Sequence, residues 1–221
     1  PMIQKTLTNI TNYPSKSFEG LLYYQALGKL MDFPIDEYIN PQKKSVIKYG
    51  KEDFLQDVVF LEKNYNQLVN LIKRKKNIIL QGPPGVGKSF IAKKLAYSIM
   101  GCKDENRVEF IQFHQSYSYE DFIQGFRPLE DGFYLKNGVF YNFCRKAQAD
   151  QNNDYYFIID EINRGNISKI FGELMMLIEE DKRGEEFAIH LTYADKDEPE
   201  FFIPSNVYVI GMMNTADRSL A

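Results

Sequence analysis

The amino-acid sequence predicts an α/β fold in which helices cover both faces of a parallel sheet. From residue 77 onward, short apolar runs alternate with segments of helical periodicity, as expected when crossover helices join parallel strands. A glycine-rich turn and, further along, an acidic pair follow two of these apolar runs, and such polar strand ends mark the ligand edge of an open sheet. The predicted strands are Asn77–Gln81, Val108–Phe113, Tyr155–Asp160 and Asn206–Met213. The predicted helices are Lys88–Met100, about Phe140–Ala149 and Ile167–Glu180.

The beginning of the chain differs from the rest, and we interpret residues 1–50 as a short helical extension or linker before a main domain at 51–221. Apolar residues recur at helical spacing over residues 18–31. Pro34 and Pro41 then interrupt regular structure, because proline lacks an amide hydrogen and restricts the residue before it. The chain is long enough for one substantial core plus such an appendage.

A basic run, Lys73-Arg74-Lys75-Lys76, ends a predicted helix over residues 62–75. Positive charge at the C-terminal end of a helix complements the helix dipole, so this run needs no ligand to explain it. A nucleic-acid contact is the alternative interpretation. The formal net charge of −3 provides no overall attraction to nucleic acid.

The strand Asn77–Gln81 is followed by a run with the spacing of a phosphate-binding loop. Glycines let backbone N–H groups turn toward phosphate oxygens, Lys88 can reach the β and γ phosphates, and Ser89 offers a hydroxyl to Mg²⁺. An ordinary strand-to-helix turn is the alternative, but the flanking strand and helix patterns favour a nucleoside-triphosphate site. The candidate nucleotide-binding residues are Gly82, Pro83, Pro84, Gly85, Val86, Gly87, Lys88, Ser89 and Phe90.

A β insertion is predicted between the second and third strands of the alternating pattern. Asn137-Gly138 separates two apolar runs, and Asn-Gly is the strongest short-range signal for a hairpin turn. We therefore expect a β-hairpin that turns at these two residues and interrupts the alternation of strands and helices.

The acidic pair Asp160-Glu161 ends the strongly apolar run that begins at Tyr155. Adjacent carboxylates at this position suggest two different tasks. Asp160 is predicted to hold Mg²⁺, directly or through water, together with Ser89. Glu161 is predicted to polarise the water that attacks the γ-phosphate. A pair of solvated strand-end carboxylates is the alternative.

Asn214 ends another apolar strand, and its amide is a candidate to sense or orient the attacking water. We expect this strand to lie between the first and third strands, so that its end meets theirs. A lone asparagine at a strand end is otherwise a common turn residue, and the functional interpretation depends on the two preceding motifs.

Composition excludes several other classes of protein. The chain has 44% hydrophobic residues, two cysteines and no apolar stretch of membrane-spanning length, so it resembles neither a disulfide scaffold nor a membrane protein. With no signal peptide, a cytoplasmic protein is expected. Pro1 precedes Met2, which is not an ordinary translation start, so we interpret the sequence as a fragment.

Four segments share the motifs, and the motif order, of one known family. They are Gly82–Ser89, Gln112–Phe122, Asp160–Arg164 and Met213–Ser219, within roughly residues 53–221. Together they resemble the McrB family, the AAA+ GTPase subunit of 5-methylcytosine-dependent restriction systems. The resemblance implies GTP, with ATP still possible, together with Mg²⁺, and assembly into a ring that is expected to be a hexamer. It also implies stimulation by an McrC-type partner that carries the nuclease, with DNA engaged through the assembled complex.

Further site residues are implied by this resemblance alone. Asn163 and Arg164, which follow the acidic pair, become candidates for arranging the catalytic water or for a subunit contact. The segment 214–217 matches the guanine-nucleotide signature proposed for the family, so Asp217 joins the candidate catalytic residues. Without the resemblance, Asp217 and Arg218 would be interpreted as a surface ion pair.

Three other functions stay open at this point. A remodelling ATPase of another AAA+ branch, such as the MoxR-like or dynein-related groups, would share the phosphate loop and the acidic pair but prefer adenine and act on proteins. A non-catalytic scaffold would use nucleotide only to order an assembly interface. A DNA-binding role for residues 2–50 is the third, although their mixed charge gives it little support.

The family normally continues beyond these motifs into a further strand, arginines that act on a neighbour's nucleotide, and a helical lid, whereas this sequence stops at Ala221. An arginine supplied by a neighbour can accelerate hydrolysis about 10³- to 10⁵-fold. We therefore predict slow nucleotide turnover by purified residues 1–221, measured as phosphate release. Rapid GTP hydrolysis by this fragment would contradict the prediction.

Overall fold

The computed structural model describes residues 47–194 and 197–215. Most of the predicted extension lies outside the described residues, as do Asp217 and Arg218. The described part begins with strand β1, Ile47–Lys48, which pairs antiparallel with β3, Cys102–Lys103. Tyr49 directly after β1 is buried, so the packed domain includes residues that precede the predicted boundary at 51.

Two helices precede the central sheet. Helix α1 spans Lys51–Asp57 and was not predicted from the sequence. Helix α2 spans Glu62–Lys75, with the bounds predicted from the sequence. Lys76 then adopts a left-handed conformation with φ 60° and donates its backbone N–H to Ile72 O, which ends α2. The basic run therefore occupies the last turn of the helix and its cap, where positive charge complements the dipole.

The central sheet contains four parallel strands among the described residues. They are β2 (Asn77–Gly82), β4 (Val108–Gln112), β7 (Tyr155–Asp160) and β8 (Val207–Asn214), and each agrees with its predicted strand to within one residue at either end. Their order across the sheet is β2-β8-β7-β4. β8, the last strand of the described residues, thus lies between the first and third strands of the sheet, as was predicted for the strand that ends at Asn214.

Helices cover both faces of the sheet, which confirms the predicted α/β class. One buried cluster joins the sheet to α1, α2 and α3, Lys88–Met100. The other joins it to α4, Tyr119–Phe122, α5, Val139–Gln148, and α6, Ile167–Phe171. None of the helices in the described residues combines the length and the apolar character needed to cross a bilayer.

Strand β7 lies at the centre of both clusters. Tyr156 and Ile158 belong to the cluster with α3, whereas Phe157 and Ile159 belong to the cluster with α5. Successive side chains of a strand point to opposite faces, and all four are fully buried, which explains why β7 reads as a continuous apolar run rather than an alternating one.

The predicted β insertion is present, but its predicted turn is wrong. Strands β5, Gln124–Leu129, and β6, Gly132–Asn137, pair antiparallel and turn between Leu129 and Gly132. Asn137 instead pairs with Gln124 at the open end of the hairpin. Gly138 is needed for close packing, because a Cβ there would lie 2.4 Å from the carbonyl carbon of Phe122.

The helix predicted over Ile167–Glu180 is also wrong in its length. Helix α6 ends at Phe171, and Gly172 then adopts a φ of 52° before a 3₁₀ turn over Gly172–Met175. Glu173 explains the break, because Glu173 Oε1 accepts hydrogen bonds from Tyr119 Oη at 2.7 Å and from Thr192 N at 3.0 Å. These two distant partners fix the chain after α6 in a turn.

A buried arginine fixes the beginning of the sheet. Arg183 is 6% exposed, and its guanidinium donates to Ile178 O, Val207 O and Asn77 Oδ1 at 2.8–3.1 Å. Burial lowers the pKa of Arg183 to about 10, so it stays charged at neutral pH. Its contacts join the segment after α6 to the first residues of β2 and β8.

We predict that Arg183→Met lowers the free energy of unfolding by on the order of 3 kcal/mol, because buried acceptors would lose a charged donor. Lys182→Met is the matched control, since the Lys182 side chain is 38% exposed and its loss should change stability by less than about 0.5 kcal/mol. Urea unfolding followed by circular dichroism measures both. Equal stability of the two variants would contradict the anchoring role of Arg183.

Candidate functional site

The parallel register brings the predicted site residues to one edge of the sheet. Gly82 at the end of β2 is the register partner of Asn214 at the end of β8. Asp160 ends the neighbouring strand β7, and Glu161 follows it. Because the carboxyl ends of parallel strands share one edge, residues far apart in sequence meet there.

The loop between β2 and α3 has a backbone that requires glycine at two positions. Gly85 and Gly87 adopt φ values of 80° and 79°, a region that other residues rarely enter. A Cβ at either position would meet nothing within 4 Å, so backbone conformation rather than crowding explains these glycines. The loop leads into the N-terminus of α3, where backbone N–H groups without intrahelical partners can bind an anion such as phosphate.

Lys88 begins α3, and its ammonium group turns back toward the strand ends. Its Nζ donates to Gly82 O at 3.0 Å, to Pro83 O at 2.8 Å and to Asn214 Oδ1 at 2.6 Å. The ammonium group of Lys88 therefore lies beside the end of β8, and a charged donor here can reach phosphate groups held by the loop.

Ser89 and Asp160 form a compact oxygen pair that fits Mg²⁺. Ser89 Oγ donates to Asp160 Oδ2 at 3.3 Å, and Asp160 Oδ1 accepts from the backbone N–H of Glu161 at 2.9 Å. Within the described residues, no group of three or more His, Cys, Asp or Glu side chains is arranged to hold a metal ion. Two protein oxygens suit Mg²⁺, which completes its shell with phosphate oxygens and water.

Glu161 is held from several directions. Its Oε1 accepts a hydrogen bond of 2.5 Å from Asn214 Nδ2, and its Oε2 lies 3.2 Å from Arg164 Nε. Oε2 is buried without a hydrogen bond, so its contact with Arg164 is ionic rather than directional. The Glu161 backbone has a φ of 51°, an uncommon conformation for a residue with a side chain.

Asn163 lies in the 3₁₀ turn Ile162–Arg164 directly after Glu161. Its Oδ1 is buried and has no hydrogen-bond partner, which makes it an acceptor available to a water or ligand. Gly211 in β8 permits this arrangement, since a Cβ there would lie 2.9 Å from Ile162 Cδ1.

The structure brings together most, but not all, of the predicted site residues. Lys88, Ser89, Asp160, Glu161 and Asn214 are joined by direct contacts. Gly82 and Pro83 also contact Lys88, through their backbone carbonyls. Val86 and Phe90 do not share these contacts: each is 50% exposed, and the centre of the Phe90 ring lies 5.1 Å from Lys94 Nζ. Asp217 lies outside the described residues.

Two contacts were not predicted from the sequence. The bond from Lys88 to Asn214 joins residues 126 positions apart, so no local pattern could indicate it. The ion pair of Glu161 with Arg164 did have a local signal, because its i, i+3 spacing places two opposite charges within one turn.

This chain is similar to one family of domains and to components of two restriction enzymes. A model of the AAA domain, dynein-related subfamily, matches residues 77–221. The "Type IV methyl-directed restriction enzyme EcoKMcrB subunit" of Escherichia coli (strain K12) is 53% identical over 207 residues, which cover 90% of this chain and 45% of that protein. The "Type II restriction enzyme BsuMI component YdiS" of Bacillus subtilis (strain 168) is 25% identical over 182 residues, which cover 66% of this chain and 52% of that protein.

These similarities support the interpretation of the site. The chain spans about half the length of the curated relatives it matches. The resemblance to the McrB family is confirmed by the 53% identity to the Escherichia coli subunit. The match over residues 77–221 includes the glycine-rich loop, the acidic pair and Asn214, so this part of the chain is a P-loop nucleoside-triphosphatase domain. By this match, the chain belongs to the dynein-related subfamily of the AAA domain family.

Proposed function

We propose that this chain is the nucleotide-hydrolysing AAA+ motor subunit of a modification-dependent DNA restriction complex, with GTP as its nucleotide and Mg²⁺ as its cofactor. The observation that carries the proposal is the convergence of Lys88, Ser89, Asp160, Glu161 and Asn214 at one sheet edge. The similarity to an McrB subunit supplies the restriction context.

Triphosphate binding would use the loop and the first turn of α3. Backbone N–H groups of residues 85–89 would donate to the phosphates, and Lys88 would exchange contacts with backbone carbonyls for contacts with phosphate oxygens. Ser89 and Asp160 would hold Mg²⁺, which would neutralise phosphate charge. The positive φ values of Gly85 and Gly87 support this arrangement, because they orient the loop backbone.

Hydrolysis would depend on the side chains at the ends of β7 and β8. Glu161 accepts a proton from the water that attacks the γ-phosphate, and Asn214 orients that water. Asn163 offers the buried, unpartnered Oδ1 as a further acceptor for the same water. Asp217 is included in the proposed catalytic set through the McrB resemblance.

The proposed complex follows from the relatives. Both are components of restriction enzymes, and one is a methyl-directed McrB subunit. The resemblance to the McrB family further implies self-association into a ring, with a hexamer as the expected form, and an McrC-type partner that carries the nuclease. DNA would be engaged by the assembled complex.

A remodelling ATPase is the second candidate function, because the matching domain model describes the dynein-related subfamily. Such an ATPase would use the same phosphate loop and acidic pair but prefer ATP. Nucleotide preference therefore separates the two proposals. A non-catalytic scaffold is separated from both by the effect of removing the Glu161 carboxylate.

Our first prediction for this site is selective, Mg²⁺-dependent binding of a fluorescent GTP analogue over the ATP analogue. Lys88→Ala should weaken binding about 10- to 100-fold, because it removes a charged donor to phosphate. Lys94→Ala is the matched control, since Lys94 lies on the same helix but pairs with Asp57. Fluorescence anisotropy with and without EDTA measures each affinity.

The outcomes of this binding experiment separate the proposals. A preference for ATP would favour the remodelling ATPase. Equal affinity of the parent and Lys88→Ala would contradict the assignment of the phosphate loop.

The second prediction concerns hydrolysis. Glu161→Gln should slow hydrolysis of bound nucleotide about 10²- to 10⁴-fold while binding persists, because an amide cannot accept the proton of the attacking water. Glu180→Gln, which changes an exposed carboxylate elsewhere, is the control. Phosphate release under single-turnover conditions measures both. An unchanged rate in Glu161→Gln would exclude Glu161 as the general base.

A further inference from the structure

The ammonium group of Lys88 has no spare donor in this structure. Lysine provides three N–H donors, and Lys88 contacts three acceptors, Gly82 O, Pro83 O and Asn214 Oδ1. A new contact with a phosphate oxygen must therefore replace at least one of these bonds. The shortest of the three, at 2.6 Å, is the bond to Asn214.

Asn214 connects Lys88 to Glu161 through opposite ends of one amide group. Its Oδ1 accepts from Lys88, and its Nδ2 donates to Glu161 Oε1 at 2.5 Å. An amide is rigid and planar, so a change at one end alters the geometry at the other. The residue that contacts phosphate and the residue that activates water are therefore joined through a single side chain.

Neither carboxylate oxygen of Glu161 is open to water in this arrangement. Oε1 is engaged by Asn214, and Oε2 is buried beside Arg164 Nε. The Glu161 side chain is 12% exposed, whereas that of Arg164 is 46% exposed. A general base must offer an oxygen to the water that it deprotonates. Glu161 must consequently leave at least one of these two contacts before it can act.

We propose that Arg164 is a positioning residue that holds the Glu161 carboxylate against Asn214 and restrains it from activating water. The inference rests on the proposed function of Glu161 as general base. Arg164 is suited to this task because its side chain is 46% exposed and makes no directional hydrogen bond to Oε2, so the guanidinium can move away into water. The restraint lowers the hydrolysis rate by acting on Glu161, and it leaves the contacts of the phosphate-binding loop unchanged.

The opposite role for Arg164 leads to the opposite kinetic result. If Arg164 held Glu161 in its active position, removal of the guanidinium would lower kcat. The structure favours restraint, because Asn214 engages Oε1 and Oε2 is buried beside Arg164, so neither oxygen is available to an attacking water.

Arg164→Gln tests the proposal in the full 221-residue chain. We expect kcat for GTP hydrolysis to rise about two- to fivefold, with KM unchanged, because the half-exposed guanidinium limits the strength of the pair. Arg164→Lys keeps the positive charge and should return kcat toward the parent value. Arg127→Gln is the matched control, since it removes a comparable ion pair with Asp121 in the hairpin.

A second measurement reports on the restraint without turnover. In ¹⁵N-labelled protein, the side-chain amide of Asn214 is assigned by the signal that Asn214→Asp lacks. Arg164→Gln should move this signal toward the position of solvent-exposed amides, and Arg127→Gln should leave it in place. This signal is measured without nucleotide, so it reports on the contact between Glu161 and Asn214 independently of hydrolysis.

The proposal is overturned if Arg164→Gln lowers kcat or leaves it unchanged. It is equally overturned if neither the parent chain nor Arg164→Gln shows measurable turnover. It is also overturned if the Asn214 amide signal does not move. Failure of the proposed function is a different result: nucleotide binding would then be insensitive to Lys88→Ala, whatever Arg164→Gln does.

Discussion

The insertion of β8 between β2 and β7 is the constraint on which the candidate site depends. This pairing sets Gly82 opposite Asn214 and leaves Asp160 at the end of the next strand. A shift of one residue in either pairing would turn every side chain of β8 to the other face of the sheet. The contacts of Asn214 with Lys88 and Glu161 would then be lost together, because both depend on the direction of a single side chain.

Several features far from the site maintain that register. Fully buried residues on both faces of β7 allow no rotation of the strand. Arg183 fixes the first residues of β2 and β8 at the opposite end of the sheet. Gly211 lets Ile162 pack closely over β8, which brings the turn after Glu161 against the strand. The geometry of the site is therefore a property of the whole core.

Local patterns predicted what local forces determine. The bounds of α3 follow from apolar periodicity and from Gly101, which ends the helix, and those of β7 follow from a continuous apolar run, so the sequence and the structure agree there. The hairpin turn could not be predicted from Asn137-Gly138, because Gly138 meets a requirement of packing against Phe122. The end of α6 depends on Glu173, whose partners lie 54 and 19 residues away. For the site, the polar residues at the strand ends could be predicted from the sequence. The contacts that link them could not, because these contacts depend on the order of the strands in the sheet.

The central position of β8 also has a consequence for the order of events during synthesis. β2 and β7 leave the ribosome before β8 does, and their facing edges stay unpaired until residues 207–214 emerge. Unpaired apolar edges invite association with other chains. The sheet therefore stays incomplete between β2 and β7 while more than 40 residues after β7 are translated. The sheet, and with it the site at the ends of its strands, can therefore be completed only after residues 207–214 have been translated.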